Sequence, residues 1–241
     1  MKPGRLLLIP TGLSDSGVLQ YLPPQTLERL HQITYFIAER AKSARSYLKA
    51  TGHPVSMADI HLSELDKHQK SDFEKLLEPC LLGHDCGLMS EAGMPGIADP
   101  GARVVSTAHR LGIEVEPLVG PSSIFLALMA SGMNGQQFAF HGYLPRHERE
   151  LAKKLQQLEN ESGRYNQTQL FIETPYRNQK LLQVALNTLR PDTLFCIAAG
   201  LHHPSQFIKT QPVEIWKATP PTIHKVPAVF AIFSGEMSGL T

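Results

Sequence analysis

Cysteine is scarce in this sequence: Cys80, Cys86 and Cys196 are the only three in 241 residues. Their odd number and irregular spacing exclude a disulfide framework and the paired spacing of a zinc site. Their apolar settings fit reduced thiols and hence the cytoplasm. Long hydrophobic runs are missing as well. No stretch approaches the roughly 20 apolar residues of a membrane-spanning helix, and Leu6 to Ile9 is too short for a signal-peptide core. Charge of one sign is not in excess, since 23 Lys and Arg face 22 Asp and Glu, for a net charge of +1. No global field therefore draws the chain to nucleic acid, although a local basic patch is compatible with that balance. Two phosphate-binding signatures are absent, G-x-G-x-x-G and G-K-[ST]. His53, His61 and His68 lie at irregular spacings with no i, i+4 pair, so no metal is expected. No internal repeat or low-complexity tail is present.

What is there centres on residues 88–101, Leu-Met-Ser-Glu-Ala-Gly-Met-Pro-Gly-Ile-Ala-Asp-Pro-Gly. An apolar lead-in reaches Ser90 and Glu91, and then Gly93, Pro95, Gly96, Pro100 and Gly101 rule out a continuing helix or central strand. Val104, Val105 and Ala108 fall on one helical face beyond it, and Gly112 closes that helix. Strand, glycine-rich turn and helix place a ligand at the carboxyl end of a parallel strand. Long connections of this kind in compact domains are more often functional than not. Asp99, between Ala98 and Pro100, reads as a turn former.

The remaining pattern alternates strands and helices. Residues 5–9 form a buried strand ended by Pro10, followed by a polar turn with Thr11, Gly12, Ser14, Asp15 and Ser16. That turn is read equally well as a ligand loop or a plain connection. A helix starts near Gln25, a strand covers 33–38, and Glu39 and Arg40 sit at its end. A helix with Ala41, Ala44, Tyr47 and Leu48 inward carries Lys42, Arg45 and Lys49 on a solvated side. Residues 53–71 are polar. Asp72 to Leu82 reads as one helix, 84–89 as the strand feeding the central turn, and 113–119 as another strand. Ser122 is a helix N-cap candidate, and the buried helix 124–130 bears hydroxyls in its first turn that suit a polar ligand group. Strands are expected at 138–143, 169–173, 194–199 and 226–233. A charged helix spans 146–164, an amphipathic one carries Leu181, Leu182, Ala185, Leu186 and Leu189, and 213–216 starts a short helix or strand. The pattern argues α/β layers in two lobes, 1–118 and 119–241, with a ligand cleft between them.

Several segments together resemble the tetrapyrrole methylase superfamily: Pro10-Thr11-Gly12, the run 90–101, Pro117 to Ser123, Ala130-Ser131-Gly132, and Phe140 to Pro145. Within it the sequence looks most like the small-subunit ribosomal RNA ribose (cytidine-2'-O) methyltransferases, a likeness that Phe171-Ile-Glu-Thr-Pro-Tyr-Arg177 supports. The resemblance implies a two-lobed α/β fold, each lobe a mixed sheet flanked by helices, usually homodimeric, with S-adenosyl-L-methionine held in the cleft. Carried over by position, the cofactor contacts are Pro10, Ser90, Gly93, Met94, Pro95 and Ile97. Ser122 and Ser123 lie at its polar end, and Glu173, Thr174, Gly200 and Pro227 come from the second lobe. The sequence departs from the branch at Glu91 and Met94, where Asp and Thr are usual, and at Glu39-Arg40, where an acidic pair is usual. It lacks Arg-Glu in the loop 200–206, and it ends at Thr241, short of a C-terminal segment many of these RNA enzymes carry.

The implied reaction is methyl transfer to a ribose hydroxyl of ribosomal RNA. In-line positioning supplies most of the gain, and an acceptor for the hydroxyl proton helps. Glu91, Glu39 and Glu173 are candidate bases, and Arg177, Arg40 and Lys42 candidate phosphate contacts. A corrinoid or other small-molecule methylase, and a non-catalytic cofactor-binding relative, are the alternatives.

Overall fold

The computed structural model describes residues 2–14, 17–65 and 72–236, without the side chain of Val18. Asp15, Ser16 and His68, named above, lie outside the described residues. The chain divides into two compact units, Met1–Ser122 and Ser123–Thr241.

In the first unit the order is β1 (Leu6–Ile9), α1 (Pro24–Leu30), β2 (Tyr35–Ala38), α2 (Ala41–Ala50), β3 (His61–Glu64), α3 (Phe73–Leu76), α4 (Glu78–Leu81), β4 (Cys86–Met89), α5 (Gly101–Arg110) and β5 (Val115–Pro117). Its sheet runs β3-β2-β4-β1-β5, and every pairing is parallel. The mixed pairing expected of both lobes is therefore a property of the second sheet alone. Successive strand residues face opposite sides. Leu7, Ile9, Phe36, Ala38 and Met89 pack with Leu30, Ala44 and Leu48 of α1 and α2. Leu6, Ile37, Cys86 and Leu88 pack with Leu77, Cys80, Val104 and Ala108 on the other side. Burial on both faces is why these strands read as unbroken apolar runs. At Gly87 of β4, a Cβ would meet Ile9 Cδ1 at 2.4 Å and Phe36 Cδ1 at 2.8 Å, so only hydrogen fits between those two side chains.

At the amino edge of this sheet, Arg5 and Arg29 alternate with Asp85 and Glu116. Arg5 lies 2.8 Å from Glu116 and 3.1 Å from Asp85, and Arg29 lies 3.0 Å from Glu116. The hydrogen bonds that Arg29 donates to Glu116 hold its guanidinium above its ordinary pKa, against the effect of burial.

Two local expectations change. Residues 61–64 form an edge strand within the stretch read only as polar. Three of the four residues are exposed and need no apolar alternation, while His61 stacks on Tyr35 with ring centroids 4.6 Å apart. The single helix expected over 72–82 is two short ones, α3 and α4, broken at Leu77. Pro79 has no N–H to continue the ladder, and the Asp72 side chain accepts the Lys75 N–H to start α3.

The second unit contains α6 (Ser123–Ser131), β6 (Phe138–Tyr143), α7 (Glu148–Tyr165), β7 (Thr168–Glu173), α8 (Asn178–Thr188), β8 (Leu194–Ala199), β9 (Phe207–Pro212), α9 (Val213–Ala218) and β10 (Ala228–Phe233). Its sheet runs β6-β7-β10-β8-β9. β6 is parallel to β7, and the other pairs are antiparallel. The central strand β10 is buried throughout. Phe230 stacks between Phe171 and Phe195, with centroids 5.8 Å away on each side. Leu151, Leu155 and Leu158 of α7 and Leu181, Leu182 and Ala185 of α8 close the same core. The Trp216 indole donates to Phe195 O at 2.8 Å. Glu159, buried on α7, accepts the Arg190 N–H at 2.8 Å and the Thr193 hydroxyl. β9 is an edge strand that the polar sequence Phe-Ile-Lys-Thr-Gln-Pro does not announce.

Candidate functional site

Parallel pairing brings the carboxyl ends of β1, β2, β3 and β4 to one edge of the first sheet. The residues that leave them are Pro10 and Thr11 after β1, Glu39 and Arg40 after β2, and Ser90 and Glu91 after β4, with Glu64 closing β3. Thr11 and Gly93 form an isolated bridge: the Thr11 N–H donates to Gly93 O at 2.9 Å, and the Gly93 N–H donates back at 3.3 Å. The hydroxyls of Thr11 and Ser90 also donate to Gly93 O, at 3.4 Å and 3.1 Å. Gly93 has φ 74°, the left-handed region that a side chain disfavours. A Cβ there would stand 3.2 Å from Leu13 Cδ2.

The rest of the turn is braced from within. The Asp99 carboxylate accepts the Gly96 N–H at 2.9 Å and the Gly101 N–H at 2.6 Å. Burial pushes this carboxyl above its ordinary pKa, and the two amides pull the other way. Asp99 is thus the turn former expected of it. Pro95 is buried, Met94 half-buried and Ile97 exposed, so the turn presents apolar side chains beside bare backbone.

Pro10 is clamped from two sides. The buried Tyr47 hydroxyl donates to Pro10 O at 2.7 Å, and burial raises the Tyr47 pKa well above that of a free phenol. Gly120 lies so close that a Cβ would meet Pro10 Cβ at 2.4 Å. The Thr26 hydroxyl donates to Val119 O at 2.7 Å and fixes the same segment. Tyr47 was legible only as part of an inward stripe. The one available signal was chemical, since a buried tyrosine hydroxyl usually finds an acceptor.

The Glu39 carboxylate, after β2, reaches the main chain at the neighbouring end of β4. The Glu91 N–H donates to Glu39 Oε1 at 3.3 Å. Glu91 Oε2 receives the Ser43 hydroxyl at 3.1 Å and lies 3.8 Å from Arg40 Nε. Ser43, from α2, carried no signal in the sequence. Glu64 accepts the first N–H of α2, at Ala41. Lys42, Arg45 and Lys49 are exposed. Ser122 is buried and precedes α6, which begins at half-buried Ser123.

The second unit gathers its own set. Ala228 pairs with both Glu173 and Ala199, which puts Glu173, Thr174, Gly200 and Pro227 at one edge of that sheet. The Gly200 N–H donates to Pro227 O at 2.8 Å. The Glu173 side chain is 1% exposed and pairs with Arg177, Oε2 to Nη2 at 2.9 Å. Its Oε1 accepts the Thr174 N–H at 2.7 Å. The Oε2 contact is an ion pair without hydrogen-bond alignment.

His31 and His53 spend their Nε2 atoms on backbone carbonyls, of Thr51 and of Leu30 and Ile33. Among the described residues, no cluster of His, Cys, Asp or Glu is arranged to hold a metal, and no helix is long and apolar enough to cross a membrane.

Residues 5–210 match the family of tetrapyrrole (corrin/porphyrin) methylases. The chain belongs to that family. Among curated relatives it is 31% identical over 185 residues to "Ribosomal RNA small subunit methyltransferase I" of Bacillus subtilis, covering 74% of this chain and 62% of that one. It is 30% identical over 208 residues to the protein of the same name from Vibrio cholerae, covering 86% and 68%. The matched region thus spans about two thirds or less of the length of these relatives. Two solved methyltransferases share the fold. They are uroporphyrin-III-C-methyltransferase from Thermus thermophilus (TM-score 0.53, 18% identity, 98% and 96% covered) and the methyltransferase CobJ (TM-score 0.62, 17% identity, 96% and 94% covered).

Proposed function

We propose that this member of the family is an S-adenosylmethionine-dependent methyltransferase that modifies a ribose 2'-hydroxyl of small-subunit ribosomal RNA, working in the cytoplasm as a homodimer. The observation that carries the reading is the bridged turn at 90–101, clasped to Thr11 and lying beside two carboxylates. The names of the curated relatives support the RNA acceptor.

The residues fit such a donor. Gly93 leaves the bridged residue without a side chain, Met94, Pro95 and Ile97 offer apolar contact, and Glu39 and Glu91 suit hydroxyls or a cation. When bound, the donor supplies an electrophilic methyl group. Pro10, Ser90, Gly93, Met94, Pro95 and Ile97 hold its nucleoside. Ser122 takes its polar end. Glu39 or Glu91 accepts the ribose proton at a carboxylate oxygen. Arg177, fixed by Glu173, turns its remaining N–H groups to phosphate.

Two measurements test this. Calorimetric titration with S-adenosylmethionine and with its demethylated product is expected to show saturable binding of both. Labelled methyl is expected in small-subunit RNA taken from a strain lacking the gene. Label in a small ring compound or a protein would move the acceptor, and binding without transfer to any acceptor would make the chain a sensor. Of Glu39→Gln and Glu91→Gln, the variant that removes the base is expected to lose about 10²–10⁴-fold in kcat.

A further inference from the structure

The carboxyl edge of the second sheet carries two large aromatic side chains that its core does not use. Tyr176, on the turn after β7, is 72% exposed, and Tyr143, the last residue of the adjacent strand β6, is 57% exposed. Neither position is left to chance. β6 and β7 pair at Phe140↔Leu170 and again at Tyr143↔Ile172, so β6 holds one extra residue between them. Gly142 absorbs it at φ 62°. A bulge of this kind re-aims the side chain that follows it.

Tyr176 stands on a turn fastened to the loop before β10. The Lys225 N–H donates to Pro175 O at 2.9 Å, the Asn178 amide donates to Val226 O, and the Ile223 N–H donates to Gln179 Oε1 at 2.9 Å. Lys225 takes φ 62°, a conformation costly for a side-chain-bearing residue, and its ammonium lies 5.9 Å from the Tyr176 ring centroid. Arg177 follows Tyr176 and donates to Arg146 O at 3.4 Å, while Arg146 and Arg149 are exposed. The nearby acid Glu148 is engaged by Lys180 at 3.3 Å.

Rigid, outward aromatic rings among cations match the chemistry of an unstacked nucleotide, base on ring and phosphate on ammonium or guanidinium. We infer that Tyr176, with Tyr143 beside it on the neighbouring strand end, is a stacking platform for bases of the single-stranded RNA that flanks the modified ribose. This inference rests on the proposed function and adds a positioning residue to it.

The test is the RNA KM for methyl transfer together with the S-adenosylmethionine Kd, measured for wild type, Tyr176→Ala and Tyr176→Phe. Tyr176→Ala is expected to raise the RNA KM about five- to a hundredfold, the range for one lost base–aromatic stack. The donor Kd should stay within about twofold, and Tyr176→Phe should behave as wild type. An unchanged KM in Tyr176→Ala, or donor binding lost in both variants, overturns the inference. If wild type transfers no methyl to RNA, the proposed function fails, and a single-stranded oligoribonucleotide carrying 2-aminopurine decides the platform separately. Quenching by wild type that Tyr176→Ala abolishes supports it, and equal or absent quenching refutes it.

Discussion

The first sheet is made of strands of three or four residues, all parallel. The second is made of strands of six residues, mostly antiparallel, around a β10 buried from end to end. Parallel strands bring all their carboxyl ends to one edge and need crossover connections, so the first sheet collects loops there. Pro10, Gly93, Pro95, Gly96 and Pro100 sit in those loops. The second sheet spends its side chains on a stacked aromatic core and leaves two tyrosines and a group of cations outside. Two sheets of equal strand number thus differ in where they put loops and aromatic mass.

The sharpest way to break this contrast is Phe230→Ala. It removes the middle ring of the aromatic stack and is expected to cost about 3–5 kcal/mol, read as a lowered urea midpoint. A cost below 1 kcal/mol would mean that the second core is not where stability is concentrated. Gly87→Val tests the first core in the opposite sense, by overfilling. With Ile9 and Phe36 already inside contact distance of the added carbon, about 1–3 kcal/mol should be lost in the same assay. Gly93→Ala separates ligand surface from core. Its left-handed backbone costs a side chain about 1–2 kcal/mol, and a calorimetric titration is expected to show donor affinity falling tenfold or more. Undiminished affinity would detach the turn from the donor.

The smallest effect concerns Asp99. Its folded pKa is raised by burial above the ordinary 3.8, so the native state holds the proton more tightly than the unfolded chain. The stability this supplies is fully present below pH 3.8 and is lost as pH rises through the elevated value. Asp99→Asn, which does not titrate, should lack that step in a series of urea midpoints against pH.

Much of this was legible in the sequence because it is local. The strand entering Ser90, the glycine and proline spacing to Gly101, and the stripes on α7 and α8 each follow from neighbours a few residues apart. What was not legible depends on partners distant along the chain. Tyr47 meets Pro10 across 37 residues and Ser43 meets Glu91 across 48, and no periodicity encodes either meeting. The edge strands β3 and β9 escaped because an edge does not require an apolar face. The break between α3 and α4 was written at Pro79 and outweighed by the apolar spacing around it.

The clasp between Thr11 and Gly93 has a dynamic consequence. Two segments about 80 residues apart share reciprocal main-chain bonds, so neither opens without the other. Their amides should exchange with deuterium as one cooperative unit, and a molecule gripping either segment should slow both together.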